Sequence, residues 1–506
     1  MMKQVFRVCA IVLAMACALP AAAQSFRLEG ISVGSSSYLD EAEINRVTQK
    51  YIKRNITFDD LQTMIGELNA LYTKSGVPTA QAVLPPQEIT NGILEVSLVE
   101  ASISEVVFEG FDSTNPGFLR STLALDAGIK PDFDALEHDL LLYDIAHDIS
   151  PRLTFEAGEE AGTTRAIVTA EEPERYSFTT SVDNFGREET GVARLTLFGR
   201  MASMTGVRDT LSVQAQKSSG ASSASASYSR PVGTEGGRVI AAASFSRSGI
   251  IGGDFQGLRV ISDYASASLS FRQPVWVQTN QYTMLEFGSS LEATSSTITG
   301  KKFADVDLWD VFAQARYLRR TAHSTLGFSA GMRAGNSEAL GTSLTEGDFW
   351  LLYGDALYGR NLGKSVTFNG NINFQLAPGE NLPVARVFTA GGIGSVRGYP
   401  SNIRAGDSGA VVNLQLSKST PYRPDSLPKL DVTPFGFVDM GLVVPYRLDG
   451  GVDMDRDFIA SIGGGATAKY GDHINVFAVL GVPLRNTLGF YNKGDPDFYL
   501  GLDYAF

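Results

Sequence analysis

Between Val366 and Leu376 the chain alternates without interruption, with Val366, Phe368, Gly370, Ile372, Phe374 and Leu376 on one side and Thr367, Asn369, Asn371, Asn373 and Gln375 on the other. A period of two is the signature of a strand, because successive side chains leave a pleated backbone on opposite faces. The stretch is long enough to cross a bilayer when tilted. Ala410, Val412, Leu414 and Leu416 alternate in the same sense with Val411, Asn413, Gln415 and Ser417, and the last nine residues repeat the pattern, with Phe498, Leu500, Leu502, Tyr504 and Phe506 on one face. A single such strand fits a soluble sandwich as well as a lipid-facing wall. The number of strands decides between them.

From Tyr176 onward helical periodicity nearly disappears, and segments begin near Tyr176, Gly191, Arg208, Ala221, Arg238, Ser262, Gln281, Asp305, Ser324, Gly347, Ser365, Ser408, Asp431, Phe458, His473 and Asp497. Sixteen is an even count, as single-chain bacterial barrels require, and it leaves roughly twenty residues per strand with its connection. Such a lumen is too wide for side chains alone to fill. The reading is an outer-membrane β-barrel of about 16 antiparallel strands over 174–506, with the last strand closing on the segment near Tyr176 to Asn184 and its apolar face toward lipid. Phe506 then reads as a barrel assembly signal.

The amino terminus agrees with an exported protein. Lys3 and Arg7 precede an apolar run from Val8 to Leu19 and a small-residue site at Ala21-Ala22-Ala23, the pattern of a secretory signal peptide over 1–23. The run is too short for a membrane span. Both cysteines, Cys9 and Cys17, fall inside it, so disulfides are expected to hold nothing in the mature chain. Losing Lys3 and Arg7 moves the formal charge from −13 to −15, which speaks against nucleic acid as a partner.

Between signal and barrel the pattern is mixed. Phe26 to Val33 reads as a strand, followed by capping boxes at Asp40-x-x-Glu43 and Thr57-x-x-Asp60 that open two helices. Thr79 to Leu84 and Ile93 to Val99 complete a strand-helix-helix-strand-strand unit over 24–100. A second copy over 101–173 follows, with strands at Ser102 to Phe108, Arg152 to Glu156 and Arg165 to Glu171, and helices at Pro116 to Leu125 and Phe133 to His147. Two such repeats fit small α+β domains, each with a helix-covered sheet.

The longest strandless stretch in the barrel region, 377–407, contains Gly391-Gly392-Ile393-Gly394-Ser395-Val396-Arg397-Gly398-Tyr399. Loops of this length are uncommon unless functional. Downstream, Phe437-Val438-Asp439-Met440-Gly441 lies in a strand, with Asp439 opposite in face to Val438 and Met440 and therefore toward the lumen. An arginine folded into a barrel needs a carboxylate, and the Arg–Asp fork satisfies both groups. The expectation is a latch between Arg397 and Asp439.

With these pieces in place the chain resembles the two-partner secretion transporters (TpsB type, ShlB/FhaC-like) of the Omp85 superfamily. The resemblance rests on the signal peptide, the two POTRA-like units, the Val396-Arg397-Gly398-Tyr399 loop motif, the Phe437-x-Asp439-x-Gly441 strand motif and Phe506. Gly76-Val77-Pro78-Thr79, Val83-Leu84-Pro85-Pro86-Gln87, Gly92-Ile93-Leu94-Glu95-Val96, and Asp183-Asn184 with Gly186 and Gly191 also fit it. It implies two periplasmic POTRA domains ahead of an outer-membrane pore that secretes an unfolded, Sec-exported partner protein (TpsA-like) to the cell surface without ATP. The POTRA domains would capture the partner by β-augmentation beside the second helix of each unit. Outer-membrane lipid, periplasmic chaperones and the barrel-assembly machinery are the other implied partners. Some members carry a plug helix before the first POTRA unit, whereas here only Gln24 and Ser25 precede the first strand of the expected mature chain, so the inward loop is expected to do more of the sealing.

Three rival functions stand beside this one. An Omp85-type barrel-assembly or insertion factor would share the latch, and a diffusion porin would need no periplasmic domains. An outer-membrane lipase would use Gly327-Phe328-Ser329-Ala330-Gly331 as a nucleophile elbow with Asp439 and His473, but Leu326, Phe328, Ala330 and Met332 alternate through that site as in a strand. His138, His147, His323 and His473 lack metal-ligand spacing, and no phosphate-binding loop is present. No enzyme activity, catalytic residue, metal or cofactor is expected.

Overall fold

The computed structural model describes residues 25–253, 256–341, 346–379, 381–422, 429–445, 457–487 and 492–506. The expected signal peptide, with Cys9 and Cys17, lies outside them.

The chain divides into two compact units. The first contains residues up to Glu109 together with 123–137 and 151–170. Its leading part is a three-stranded sheet in the order Gly30–Val33, Ile93–Glu100, Ala80–Val83, the first pair parallel and the second antiparallel. Helices α1 (Glu41–Thr48) and α2 (Phe58–Lys74) cover it. The period of 3.6 in α2 puts Leu61, Met64, Leu68 and Tyr72 on one buried stripe against Leu28, Ile56, Leu94 and Val96. Burying each large side chain fully contributes about 1.5–3 kcal/mol.

The capping box expected at Thr57 is complete, since the Thr57 hydroxyl accepts from Asp60 N–H and the Asp60 carboxylate accepts from Thr57 N–H at 2.8 Å. The one expected at Asp40 is not formed. Asp40 is the N-cap of α1, but its side chain makes no capping bond, and its carbonyl alone starts the helix by accepting from Ile44 N–H. The expected strand from Phe26 to Val33 is broken at Glu29, so that Phe26–Leu28 pairs with a short strand, Arg54–Ile56, not legible in the sequence. The second repeat gives a sheet in the order Ser102–Glu109, Thr163–Thr169, Arg152–Ala157, again with one parallel and one antiparallel pairing.

The second unit is a closed antiparallel barrel with residues 110–122 and 138–150 gathered at its rim. Its strands are β1 (Tyr176–Asp183), β2 (Arg194–Ala202), β3 (Thr210–Lys217), β4 (Ala221–Val232), β5 (Gly237–Gly249), β6 (Val260–Gln278), β7 (Gln281–Ile298) and β8 (Lys301–Arg320). They continue as β9 (Ser324–Gly341), β10 (Gly347–Gly363), β11 (Val366–Leu376), β12 (Ser408–Lys418, resumed at Thr420–Tyr422), β13 (Leu430–Val444), β14 (Phe458–Tyr470), β15 (Ile474–Pro483) and β16 (Asp497–Ala505). Sixteen strands thus close the ring. The seam pairs β16 with β1 from Gly501–Asp183 to Ala505–Thr179, and Asn184 extends it by bonding Phe498 O at 2.8 Å and Leu500 N at 2.7 Å through its side chain.

Closure leaves no edge, so every ladder group finds a partner in a medium without water. Alternation then sorts the side chains: Leu269, Phe287, Leu291, Trp309 and Phe328 stand exposed on the outside, whereas Asp310, Ser290 and Asp439 are buried on the inside. On the outer face Trp276 stacks on Tyr317, and Phe328 packs tilted against the same Tyr317 ring, as in the aromatic girdles at a membrane boundary. No described helix is long and apolar enough to cross a membrane.

At the rim where the chain enters, arginines from the barrel meet the end of α4 (Phe133–Ala146) and the segment before α3 (Pro116–Thr122). Arg208 is almost wholly buried and donates to Asp148 Oδ1 at 2.7 Å and Ser113 Oγ at 3.0 Å, while Arg200 takes the other oxygen of Asp148 at 2.7 Å. Burial and the neighbouring Arg238 guanidinium push the His147 imidazole down to about 3, so it is neutral at physiological pH.

Candidate functional site: the loop docked inside the barrel

The segment joining β11 to β12 carries more structure than its sequence suggested. Within 377–407 there is a 3-10 turn at Val384–Arg386, and Phe388–Ala390 pairs antiparallel with Arg404–Gly406 as a stalk. The tip, 391–403, folds back on itself because three glycines take left-handed conformations: Gly391 at φ +112°, Gly392 at +94° and Gly398 at +89°. Gly392 N–H donates to Tyr399 O at 2.9 Å, and Ser395 N–H to Gly392 O at 3.0 Å.

The tip lies on the inner wall formed by β12 to β16. Arg397 donates from Nε to Asp439 Oδ2 at 2.7 Å and from Nη2 to Oδ1 at 2.9 Å, the bidentate geometry that matches a planar guanidinium to a carboxylate. Its backbone N–H adds a third bond to Oδ2 at 3.1 Å, and Asn413, directly opposite Asp439 in the β12–β13 register, adds a fourth to Oδ1 at 2.9 Å. Nη1 donates to Gln415 Oε1 at 2.9 Å. The guanidinium carbon sits 3.6 Å from the centre of the Phe437 ring, so the aromatic member of the strand motif is the floor on which the arginine rests. Asp439 has no solvent exposure.

The other motif residues hold the tip by shape. Val396 and Tyr399 are fully buried in a cluster with Ala390, Val411, Val443 and Ile459. Gly441 makes room for Val396, since a Cβ there would lie 2.9 Å from Val396 Cγ2. Gly398 meets Gly481 of β15 backbone to backbone, and a Cβ on Gly481 would stand 2.5 Å from Gly398 N. Tyr499 of β16 closes the contact by accepting from Gly398 N–H at 3.1 Å and donating to Tyr399 O at 3.0 Å. The Tyr399 hydroxyl lies 3.0 Å from the carbonyls of Ala460 and Arg485.

Asn413, Gln415, Gly481 and Tyr499 were not singled out from the sequence. The alternation places them on the inner face, but only the register and the closure of the ring bring β12, β13, β15 and β16 to one spot. Arg386 was also missed. It anchors the opposite limb of the loop to β7 and β8, donating to Glu292 Oε1 at 2.6 Å and from Nε to Asp310 Oδ2 at 3.0 Å. Leu382 is buried beside it among Leu308, Phe349, Leu351 and Ala377.

Phe506 lies apart from this site, exposed, with its N–H donating to Phe178 O at 2.9 Å. The residues of the lipase reading do not assemble. Ser329 sits in the middle of the continuous strand β9 and donates to Asp355, Asp439 is taken by Arg397, and His473 contacts the Ala505 carbonyl at 2.8 Å and stacks on Tyr504. Among the described residues no cluster of His, Cys, Asp or Glu is arranged to hold a metal.

Comparison with known proteins follows the same architecture. Residues 26–101 match the POTRA domain, ShlB-type, and residues 162–468 match the haemolysin secretion/activation protein ShlB/FhaC/HecB. The heme/hemopexin transporter protein HuxB of Haemophilus influenzae (strain 86-028NP) is 26% identical over 172 residues, 33% of this chain and 30% of its own length. The outer membrane transporter CdiB of Escherichia coli is 22% identical over 177 residues, 34% of this chain and 29% of its own length. The aligned stretches thus span about a third of these curated relatives. Among solved structures, CdiB from Escherichia coli superposes with a TM-score of 0.72 at 18% identity, covering 97% of this chain and 92% of that one. BamA from Haemophilus ducreyi lacking POTRA domains 1–3 superposes at 0.56 and 13% identity, over 96% and 100% of the two chains. With the larger family model spanning more than half of its length, this chain belongs to the haemolysin secretion/activation protein family, ShlB/FhaC/HecB.

Proposed function

We propose that this chain is an outer-membrane translocation pore that captures an unfolded, Sec-exported partner protein in the periplasm and passes it to the cell surface without ATP. The observation that carries the reading is a loop held inside a closed sixteen-stranded barrel by a buried Arg397–Asp439 pair. A barrel of this size has a lumen too wide for side chains alone to fill, so an element docked inside it sets how much of it is open, and an ion pair is a contact that holds one arrangement strongly while permitting another. The periplasmic units supply the capture surface. Ala80–Val83 and Arg152–Ala157 are edge strands, one in each three-stranded sheet, and their unpaired backbone groups suit β-augmentation by an extended polypeptide. Arg397 and Asp439 act in this reading as a latch, Val396, Gly398 and Tyr399 as its seat, and Phe506 as a signal for assembly with chaperones and the barrel-assembly machinery.

Deleting Phe26 to Val99 tests it against a passive pore. Export of the partner should stop while conductance in planar bilayers persists; undiminished export without that segment would overturn the capture role.

A further inference from the structure

The two limbs of the inward loop are fastened by different chemistry. At the tip, Asp439 has no cation other than Arg397 within ion-pair distance among the described residues, and it is fully buried. Lifting the tip leaves an uncompensated carboxylate in the wall, which is the costly way to break a buried pair. At the other limb, Asp310 is shared between two arginines. Arg386 of the loop binds Oδ2, while Arg333 of the neighbouring strand β9 donates to Oδ1 at 2.6 Å and Ser290 of β7 adds a bond of 2.9 Å. Arg333 is held there independently, with its guanidinium 4.9 Å from the Phe312 ring centre. When Arg386 leaves, Asp310 therefore keeps a cation and a hydroxyl donor supplied by the wall itself, and the second carboxylate it gives up, Glu292, is not fully buried, its side chain being 11% exposed even with the limb docked.

We propose that Arg386 is the releasable anchor of the loop: the limb 381–387 detaches from β7 and β8 to widen the lumen, while the tip carrying Arg397 stays docked. Arg386 acts as a positioning residue for transport, and Arg333 is the standing counter-charge that lowers the cost of its departure. This rests on the reading of the barrel as a translocation pore, but it concerns opening alone and is read without cargo.

The test is single-channel recording of the full chain in planar lipid bilayers, with barrel folding confirmed by heat-modifiable migration on gels. Arg386→Ala should raise the fraction of time spent in the larger conductance by roughly tenfold, because its two partly screened charge contacts, with Asp310 and Glu292, are removed from the closed state only. Arg333→Gln should lower that fraction, because Asp310 is then left without a cation on release. A purely structural role predicts the same direction for both variants, since both arginines bind one carboxylate. Equal occupancies for wild type and Arg386→Ala, or a shift in the same direction for both variants, would overturn the proposal. In a third variant, Arg386→Cys with Glu292→Cys, bridging by a cleavable bis-maleimide should hold the channel in its small conductance until the linker is cut. Full opening of the bridged channel would overturn it too. If these results hold and partner export nevertheless fails to depend on Phe26 to Val99, the gate stands and the capture reading falls.

Discussion

Replacing Arg397 by Ala removes one side of a contact whose other side cannot adapt. Asp439 accepts four hydrogen bonds, three of them from Arg397, and has no solvent exposure. Arg397→Ala keeps only the backbone bond and the one from Asn413, so a buried carboxylate is left without its cation. The cost of breaking such a pair from one side is about 3–5 kcal/mol. The ring contact with Phe437 belongs to the same guanidinium and adds nothing separable. Spread over the docked-to-undocked equilibrium, that cost shifts the population by about 150- to 5,000-fold. Hydrogen exchange reads it directly, since the amides of Gly392, Ser395, Arg397 and Gly398 are all bonded in the docked tip. The peptide spanning 391–399 should lose about two to nearly four orders of magnitude of protection in Arg397→Ala, while the ladders of β12 to β16 keep theirs. Protection within about threefold of wild type, in a barrel that is otherwise intact, would refute the reasoning. The reversed pair, Arg397→Asp with Asp439→Arg, should recover only part of the loss, because an arginine at 439 offers no acceptor to the backbone N–H of residue 397.

Gly481→Ala should undock the tip as Arg397→Ala does, since its Cβ would press on Gly398 N at 2.5 Å with backbone on both sides, and the same exchange measurement checks it. Tyr499→Phe leaves Gly398 N–H without its acceptor and should weaken docking by about 1–3 kcal/mol, a smaller loss of protection in the same peptide. In the periplasmic unit, burial pushes the Glu100 carboxyl up, but the Lys130 ammonium, Ser36, Ser37 N–H and Tyr72 outweigh it and hold it down to about 2, below its ordinary 4.5. A carboxylate with a depressed folded value stabilises above its unfolded value and loses that contribution as pH falls from 4.5 toward 2. The melting of α1 and α2, followed by ellipticity at 222 nm, should therefore shift down in that window, and Glu100→Gln should flatten the pH dependence. Removing Phe506 should lower the yield of assembled, heat-modifiable barrel without altering the exchange of the 391–399 peptide.

Local pattern alone set the kind of structure. Alternation from Tyr176 onward placed sixteen strand starts within a few residues of their positions, because burial against lipid on one side and a wet lumen on the other leaves the period of two visible in every strand. The helices of the first periplasmic domain were equally legible from their apolar stripes and, at Thr57, from a capping box. The pairing of Arg397 with Asp439 was readable because a charge on a glycine-rich inward loop and a carboxylate on an inner face are both unusual enough to seek each other.

What the sequence left open depends on residues far apart in the chain. Gly481 and Tyr499 meet Gly398 only because the ring closes between β16 and β1 and sets β15 beside the loop; nothing local to either residue marks it. The break at Glu29 and the strand Arg54–Ile56 are likewise products of pairing, and the stalk within 377–407 follows from loop ends held side by side on β11 and β12. Arg386 is the sharpest case. Its spacing is that of any solvated loop arginine, and its role follows from register alone, which sets Ser290 opposite Asp310 and Arg333 opposite Phe312 on three adjoining strands. Periodicity determines which way each side chain points; only closure and register decide which of them share a place inside the barrel.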